Sequence, residues 1–360
     1  MPRRLSSLGI VLLTMFLMMC VWVSLVFFDV PFSYHSNSRR KSTLPTEKHD
    51  TTPATNFQAR EYRLLDLNNI HLYLPLGDIT ECSPTDHILI LTPLMDAARY
   101  LDNYFQKLGQ IDYPADLISL GFLVSTTTED SSKDPTLLSL QKHIATLRAH
   151  PERRYRRITV FHQKSESSPV THDQRHGYEL QAARRKILAH CRNSLLMSTL
   201  IDESWVLWLD SDVVDYAPDL LFKLIKYDKD IIAPNCFRFE SGWFKTKNVP
   251  YDRNNWIETK ESLANQRALG KEEILFEGYE EEHPTYRQSM ADLAGSVRGP
   301  IEIDGVGGTF TLVKATVHRA GINFPSLPVD HGIETEGMAR WAKREGFGVF
   351  GVPHLIVQHA

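Results

Sequence analysis

The sequence is short of cysteine, and what it has is scattered: Cys20, Cys82, Cys191 and Cys236, with no CxxC pair. That argues against a zinc ribbon or a dithiol redox motif and leaves room for one luminal disulfide involving Cys82. An excess of positive charge is also missing. The formal net charge is -4 over 360 residues, so no nucleic-acid partner is expected. The basic cluster RRYRR, Arg153 to Arg157, reads as a solvated face. There is no internal repeat and no GxGxxG fingerprint, so no dinucleotide is expected. What remains, 42% hydrophobic and 23% charged, is ordinary globular composition, enough for one large domain or two small ones.

The N-terminus departs from that average. Arg3 and Arg4 precede an uncharged apolar run from Leu8 to Phe28, long enough to cross a bilayer core as a helix. Bulky residues continue to Phe27 and Phe28 where a cleavable signal would carry small ones. Arginines on the short side predict a cytoplasmic tail over residues 1–7, a signal anchor over 8–28 and translocation of all that follows. The polar segment rich in Ser, Thr and Pro that follows has the composition of a flexible stem, taken as residues 29–85. The expectation is a type II membrane protein with a luminal domain over residues 86–360.

Within that domain strands and helices alternate. His87–Leu94 reads as a buried strand running into a loop at Thr92-Pro93. A helix follows with Leu101, Tyr104, Phe105 and Leu108 on one face, then strands over Asp116–Ser125 and Arg157–Lys164. Glu179–Leu200 reads as a long helix burying Ile187, Leu188, Cys191 and Leu195. The strand Trp205–Leu209, a helix over Pro218–Asp228 and a strand over Asp230–Asn235 complete the order. Such alternation predicts an α/β fold with a largely parallel sheet. Residues 251–300 are polar and irregular and read as a long insertion or flexible loop, with order returning at Ile301–Val313.

The apolar strand WVLWL stops at Asp210-Ser211-Asp212. In parallel sheets ligands bind at the carboxyl ends of strands. Two carboxylates there suit a hard divalent cation, Mn2+ or Mg2+, bridging a nucleotide diphosphate. The plain alternative is that the acids serve a turn or cap the helix beginning near Pro218.

Several ordered blocks resemble one family. ILTPLMDAARYLDNYFQKLGQIDYP, DQRHGYELQAARRKILAHCRNSLL, VLWLDSDVV with DKDIIAPN, PYDRNNWIET, EGYEEEHPTYR, DGVGGTFTLVKATVHRAGINFP and ETEGMARWAKREGFGVFGVPH are similar to the fungal Golgi mannosyltransferases of glycosyltransferase family 62, the mannan polymerase subunits. The resemblance implies a GT-A fold, a Rossmann-like mostly parallel sheet behind the membrane helix. It also implies GDP-mannose as donor, a manganese cofactor, and transfer to a mannose chain on glycoprotein with the alpha linkage retained, alpha-1,6 in the outer chain. Complex partners and a Golgi membrane location are implied as well. The sequence differs from its relatives at Ser211, at Cys236-Phe237 and at its end, where they continue past His359-Ala360; an open C-terminal edge of the site is the expectation.

By the same resemblance, Asp210 and Asp212 hold metal and donor, Asp212 as direct ligand, with His359 as a further metal ligand and His354 as its competitor. Thr92, Pro93 and Leu94 form the strand-end loop that receives the nucleotide, and Asp173 touches the nucleoside. Arg185 and Arg192 are nearly two helical turns apart, so both could face the diphosphate, or a solvated helix face. Gly305, Gly307 and Gly308 permit close backbone approach to sugar or phosphate. Asp304 is expected at the transferred or acceptor sugar, and Glu334 or Glu336 at an acceptor hydroxyl. Glu334, Glu336 and Asp304 are the nucleophile candidates if retention runs by double displacement; front-face attack needs none. Two other functions fit the same sequence: a non-catalytic GT-A-like scaffold subunit, and a GT-A enzyme using a UDP-sugar.

Overall fold

In the computed structural model, the structure describes residues 85–126, 130, 133–150, 154–164, 177–241, 246–279 and 281–360. The expected tail, anchor and stem up to residue 84 lie outside the described residues, as do Asp173 and Cys82. No helix among the described residues is long and apolar enough to cross a membrane.

The chain begins with β1 (Ile88–Leu94), α1 (Ala98–Leu108), β2 (Ile118–Thr126), α2 (Pro135–Ala149), β3 (Arg157–Lys164) and α3 (Tyr178–Thr199). Next come β4 (Trp205–Leu209), β5 (Val213–Asp215), α4 (Leu220–Lys226), β6 (Ile231–Ser241) and β7 (Thr246–Pro250). The segment expected to be irregular holds β8 (Trp256–Ile257), α5 (Lys260–Ala268) and β9 (Gln288–Ser289). β10 (Ile301–Glu302), β11 (Phe310–Lys314), α6 (Ala315–Arg319), α7 (Glu334–Arg344) and β12 (Val349–His359) close the fold.

One ten-stranded sheet runs β10-β12-β6-β11-β4-β1-β2-β3, with β5 on β12 and β7 on β6. The half from β4 to β3 is parallel. In the other half β11 runs antiparallel to both neighbours and β12 parallel to β6, so the sheet is mixed and mostly parallel.

The unbroken apolar strands follow from burial on both faces. Along β1, Ile88, Ile90 and Leu94 enter one core with Leu101, Tyr104 and Leu108 of α1. Leu89 and Leu91 point to a second core with Ala189, Cys191 and Leu195 of α3. β4 divides the same way, Leu207 and Leu209 to one side and Val206 and Trp208 to the other. Cys191 and Cys236 are buried and free.

Two expectations change here. Thr92, Pro93 and Leu94 form no loop; they are the last three residues of β1, paired with Phe122, Leu123 and Val124. The Thr92 hydroxyl donates to the Leu209 carbonyl at 2.8 Å and is 2.7 Å from the Tyr104 hydroxyl. It ties β1 to the end of β4 from inside the core.

Helix α3 buries Cys191 and Leu195 as expected, but its buried face is shifted. Ile187 and Leu188 are half-buried, while Arg185 and Arg192 are buried. Hydrophobic spacing missed this because the groups that neutralise these arginines come from far along the chain.

Candidate active site

Asp210-Ser211-Asp212 turns the chain from the end of β4 into β5. The Asp210 amide donates to the Thr309 carbonyl and the Val213 amide to the Asp210 carbonyl. These acids cap no part of α4, which starts at Leu220. β5 pairs with the end of β12, His359 opposite Val213, and the Ala360 amide donates to the Asp212 carbonyl at 2.9 Å. The end of β12 is also paired with β6, which fixes His359 in the sheet.

That pairing brings His359 Nε2 to 3.1 Å from Asp212 Oδ2. The His359 ring stacks on Tyr251, centroids 3.6 Å apart. Burial opposes charge on both partners, yet their contact wins: the Asp212 carboxyl is held below its ordinary range and His359 is raised above it. Asp210 goes the other way, to about 6, because burial outweighs Arg192 while Asp212 and Glu334 add repulsion. His354 lies apart, accepting from the Gly299 amide at 3.2 Å.

These groups open into a cleft of about 480 Å³ that is also lined by Arg185, Arg192, Gly308 and Glu334. Both arginines are committed to carboxylates. Arg192 Nε donates to Glu334 Oε1 at 2.8 Å and its Nη2 to Asp210 Oδ1 at 3.3 Å; its Nη1 is buried without a hydrogen-bond partner among the described residues. Arg185 Nη1 donates to Glu336 Oε2 at 2.6 Å and its Nη2 to Asn254 Oδ1 at 3.1 Å. Glu334 sits at φ 55°, a costly backbone setting for a residue with a side chain, of the kind that clusters at functional sites.

Other expected residues lie beneath the cleft. Glu336 is fully buried and also accepts from Trp256 Nε1 at 2.7 Å. Asp304 accepts from the Glu258 amide at 2.8 Å and pairs with Lys343, away from the cleft wall. The glycines admit protein rather than sugar. A Cβ on Gly305 would strike the Trp256 ring at 2.2 Å, and one on Gly307 the Asp252 carboxylate at 1.8 Å. Gly307 packs against Asp252, and Gly308 alone of the three lines the cleft.

Sequence reasoning missed the wall built from residues 251–279. Tyr251, Asp252, Asn254 and Glu277 line the cleft. Asp252 Oδ2 accepts from the Thr309 hydroxyl at 2.7 Å. Burial and the neighbouring Glu336 push Glu277 up to about 7 against the pull of Arg287. The signal was a lone tryptophan in polar sequence: Trp256 is fully buried, its ring centroid 3.7 Å from the Arg287 guanidinium and 4.8 Å from that of Arg340.

Among the described residues no group of three or more His, Cys, Asp or Glu side chains is gathered as a metal shell. The arrangement still fits one mode of divalent binding. Mg2+-like ions are commonly held by one or two carboxylates plus substrate phosphates rather than by an all-protein cage. Asp212, 32% exposed at the cleft, supplies such a carboxylate, and the His359 imidazole in contact with it is a nitrogen donor of the kind transition metals accept.

The family model Anp1 matches residues 65–328. The mannan polymerase complex subunit mnn9 of Schizosaccharomyces pombe is 38% identical over 86% of this chain and 91% of its own length. Subunit MNN9 of Candida albicans is 38% identical over 76% and 74%, and the mannan polymerase II complex ANP1 subunit of Saccharomyces cerevisiae 34% identical over 76% and 55%. Among solved structures, the mannosyltransferase PcManGT from Pyrobaculum calidifontis in complex with GDP-Man and Mn2+ is 13% identical, with a TM-score of 0.41 over 77% of this chain and 58% of that one. That distance decides neither donor nor metal. The sequence relatives are decisive for kinship: this chain belongs to the Anp1 family, alongside the mannan polymerase complex subunits.

Proposed function

We propose that this chain is a GT-A-type, metal-dependent retaining mannosyltransferase. It moves mannose from GDP-mannose onto the mannose chain of a glycoprotein, by alpha-1,6 linkage. It does so as a subunit of a mannosyltransferase complex on the Golgi membrane, anchored by residues 8–28. The observation that carries this reading is the Asp212–His359 contact at the end of β4 and β12, opening into a cleft lined with arginines.

Asp212 and His359 would hold the divalent ion, with Asp210 beside them; a bound Mn2+ supplies Lewis-acid neutralisation of the departing diphosphate. Arg192 holds the Asp210 and Glu334 side chains together, placing them before substrate arrives, as preorganised sites require. Arg184 and Arg238, exposed on the cleft wall, take the diphosphate role first expected of Arg185 and Arg192. Of the three nucleophile candidates only Glu334 lines the cleft, and Arg192 already holds it. That favours front-face attack, in which the leaving diphosphate accepts the acceptor hydroxyl proton.

The test is a panel of GDP-mannose, UDP-galactose and UDP-N-acetylglucosamine offered to the detergent-solubilised full chain with a mannose oligomer, with and without Mn2+. Transfer from GDP-mannose that chelation abolishes is expected. Preference for a UDP-sugar overturns the donor assignment. No transfer from any donor, with or without metal, points instead to the scaffold subunit.

A further inference from the structure

A second cavity, also about 480 Å³, is lined by the first turns of α3 and by residues 272–276 and 282–284. Phe276 faces the second cavity, while the Arg185 guanidinium lies 5.1 Å from its ring centre on the cleft side. Tyr178, in the second cavity, packs edge-on against Tyr279 of the cleft with centroids 5.2 Å apart.

Their chemistry differs. Arginines line the cleft, whereas no lysine or arginine lines the second cavity among the described residues. It presents instead Glu179, Glu272, Glu273 and Glu282, with His283 stacked on Tyr178 at 3.8 Å. A wall without cations repels a nucleotide diphosphate. The four acids are not arranged as a metal site either. Carboxylates that accept hydrogen bonds, beside aromatic rings that cover an apolar face, fit a neutral polyhydroxylated ligand.

We propose that this cavity binds the acceptor: a neutral mannose chain whose inner units rest against Tyr178 and His283, with hydroxyls donating to Glu179 and Glu282, while its growing end is directed past Tyr279 toward the cleft. This rests on the glycosyltransferase reading for the identity of the chain, but binding can be measured without turnover.

Calorimetric titration of the full chain in detergent with a linear α-linked mannose oligomer tests it. The wild type is expected to bind. The Tyr178→Ala variant should weaken binding about tenfold, the equilibrium factor for losing one aromatic contact. A Glu179→Gln/Glu282→Gln double variant, altered only at exposed positions, should show a similar loss with an unchanged unfolding transition. Oligomer binding that survives both sets of changes overturns the inference, as does binding of a lysine-rich peptide in place of the oligomer. Sugar transfer by a wild type that shows no oligomer binding also overturns it while sparing the proposed activity. The reverse, binding lost in these variants of a chain that transfers nothing, supports the cavity and sinks the activity.

Discussion

The Asp212→Asn variant is expected to fold as the wild type does and to transfer sugar about 10²–10³-fold more slowly, the scale on which removing one charge-stabilising group acts at a transition state. Asparagine keeps the volume and one carbonyl oxygen. The backbone tie from the Ala360 amide to the residue 212 carbonyl does not involve the side chain. What is lost is the charge that His359 Nε2 meets at 3.1 Å and that a cation would share. Initial rates with GDP-mannose, alongside circular dichroism of the same preparation, check both halves. An unfolded variant would test nothing, so the Asp212→Glu variant is the companion: it restores the charge one methylene out and should recover part of the rate.

The second large effect is on stability. Glu336 is fully buried and accepts from Arg185 at 2.6 Å and Trp256 at 2.7 Å, with Arg287 at 3.6 Å. In a Glu336→Ala variant two buried guanidinium groups, on Arg185 and Arg287, lose a counter-charge and the indole N–H loses its acceptor. Breaking a buried pair from one side costs about 3–5 kcal/mol. Urea unfolding should show that loss. A change within a few tenths of a kcal/mol would mean that Asn254 and Glu277 suffice to hold the arginines. The same substitution should disturb the cleft, because Arg185 forms part of its wall.

What could be read from the chain alone follows a physical line. β1 and β4 were legible because burial on both faces leaves an uninterrupted apolar run. Asp210 and Asp212 stood out by breaking that run, and His359 through the family pattern; the structure gathers all three in one cleft. Arg185 and Arg192 reach the expected cleft, where they meet carboxylates that sequence spacing does not announce. Their counter-charges, Glu336 and Glu334, come from the start of α7, far along the chain from α3, and no local periodicity reports such a pair. Glycine spacing suggested ligand contact at Gly305 and Gly307, but absence of a side chain does not say what fills the space; Trp256 and Asp252 do. Residues 251–300 read as irregular because they carry little apolar material. Their order comes instead from Trp256 packed against two arginines and from a capping box at Thr259 and Ser262. Thr92 was misplaced for a simpler reason: X-Pro suggests a turn, while the strand carries Pro93 in register with Leu123.

The account turns on whether a cation joins Asp212 and His359 to a bound nucleotide. Electron paramagnetic resonance of Mn2+ titrated into the full chain, with and without GDP, measures this directly. Tight Mn2+ binding that requires GDP, and that is lost in both the Asp212→Asn and His359→Ala variants, is the predicted result. Mn2+ binding with the same affinity in wild type and both variants would contradict it.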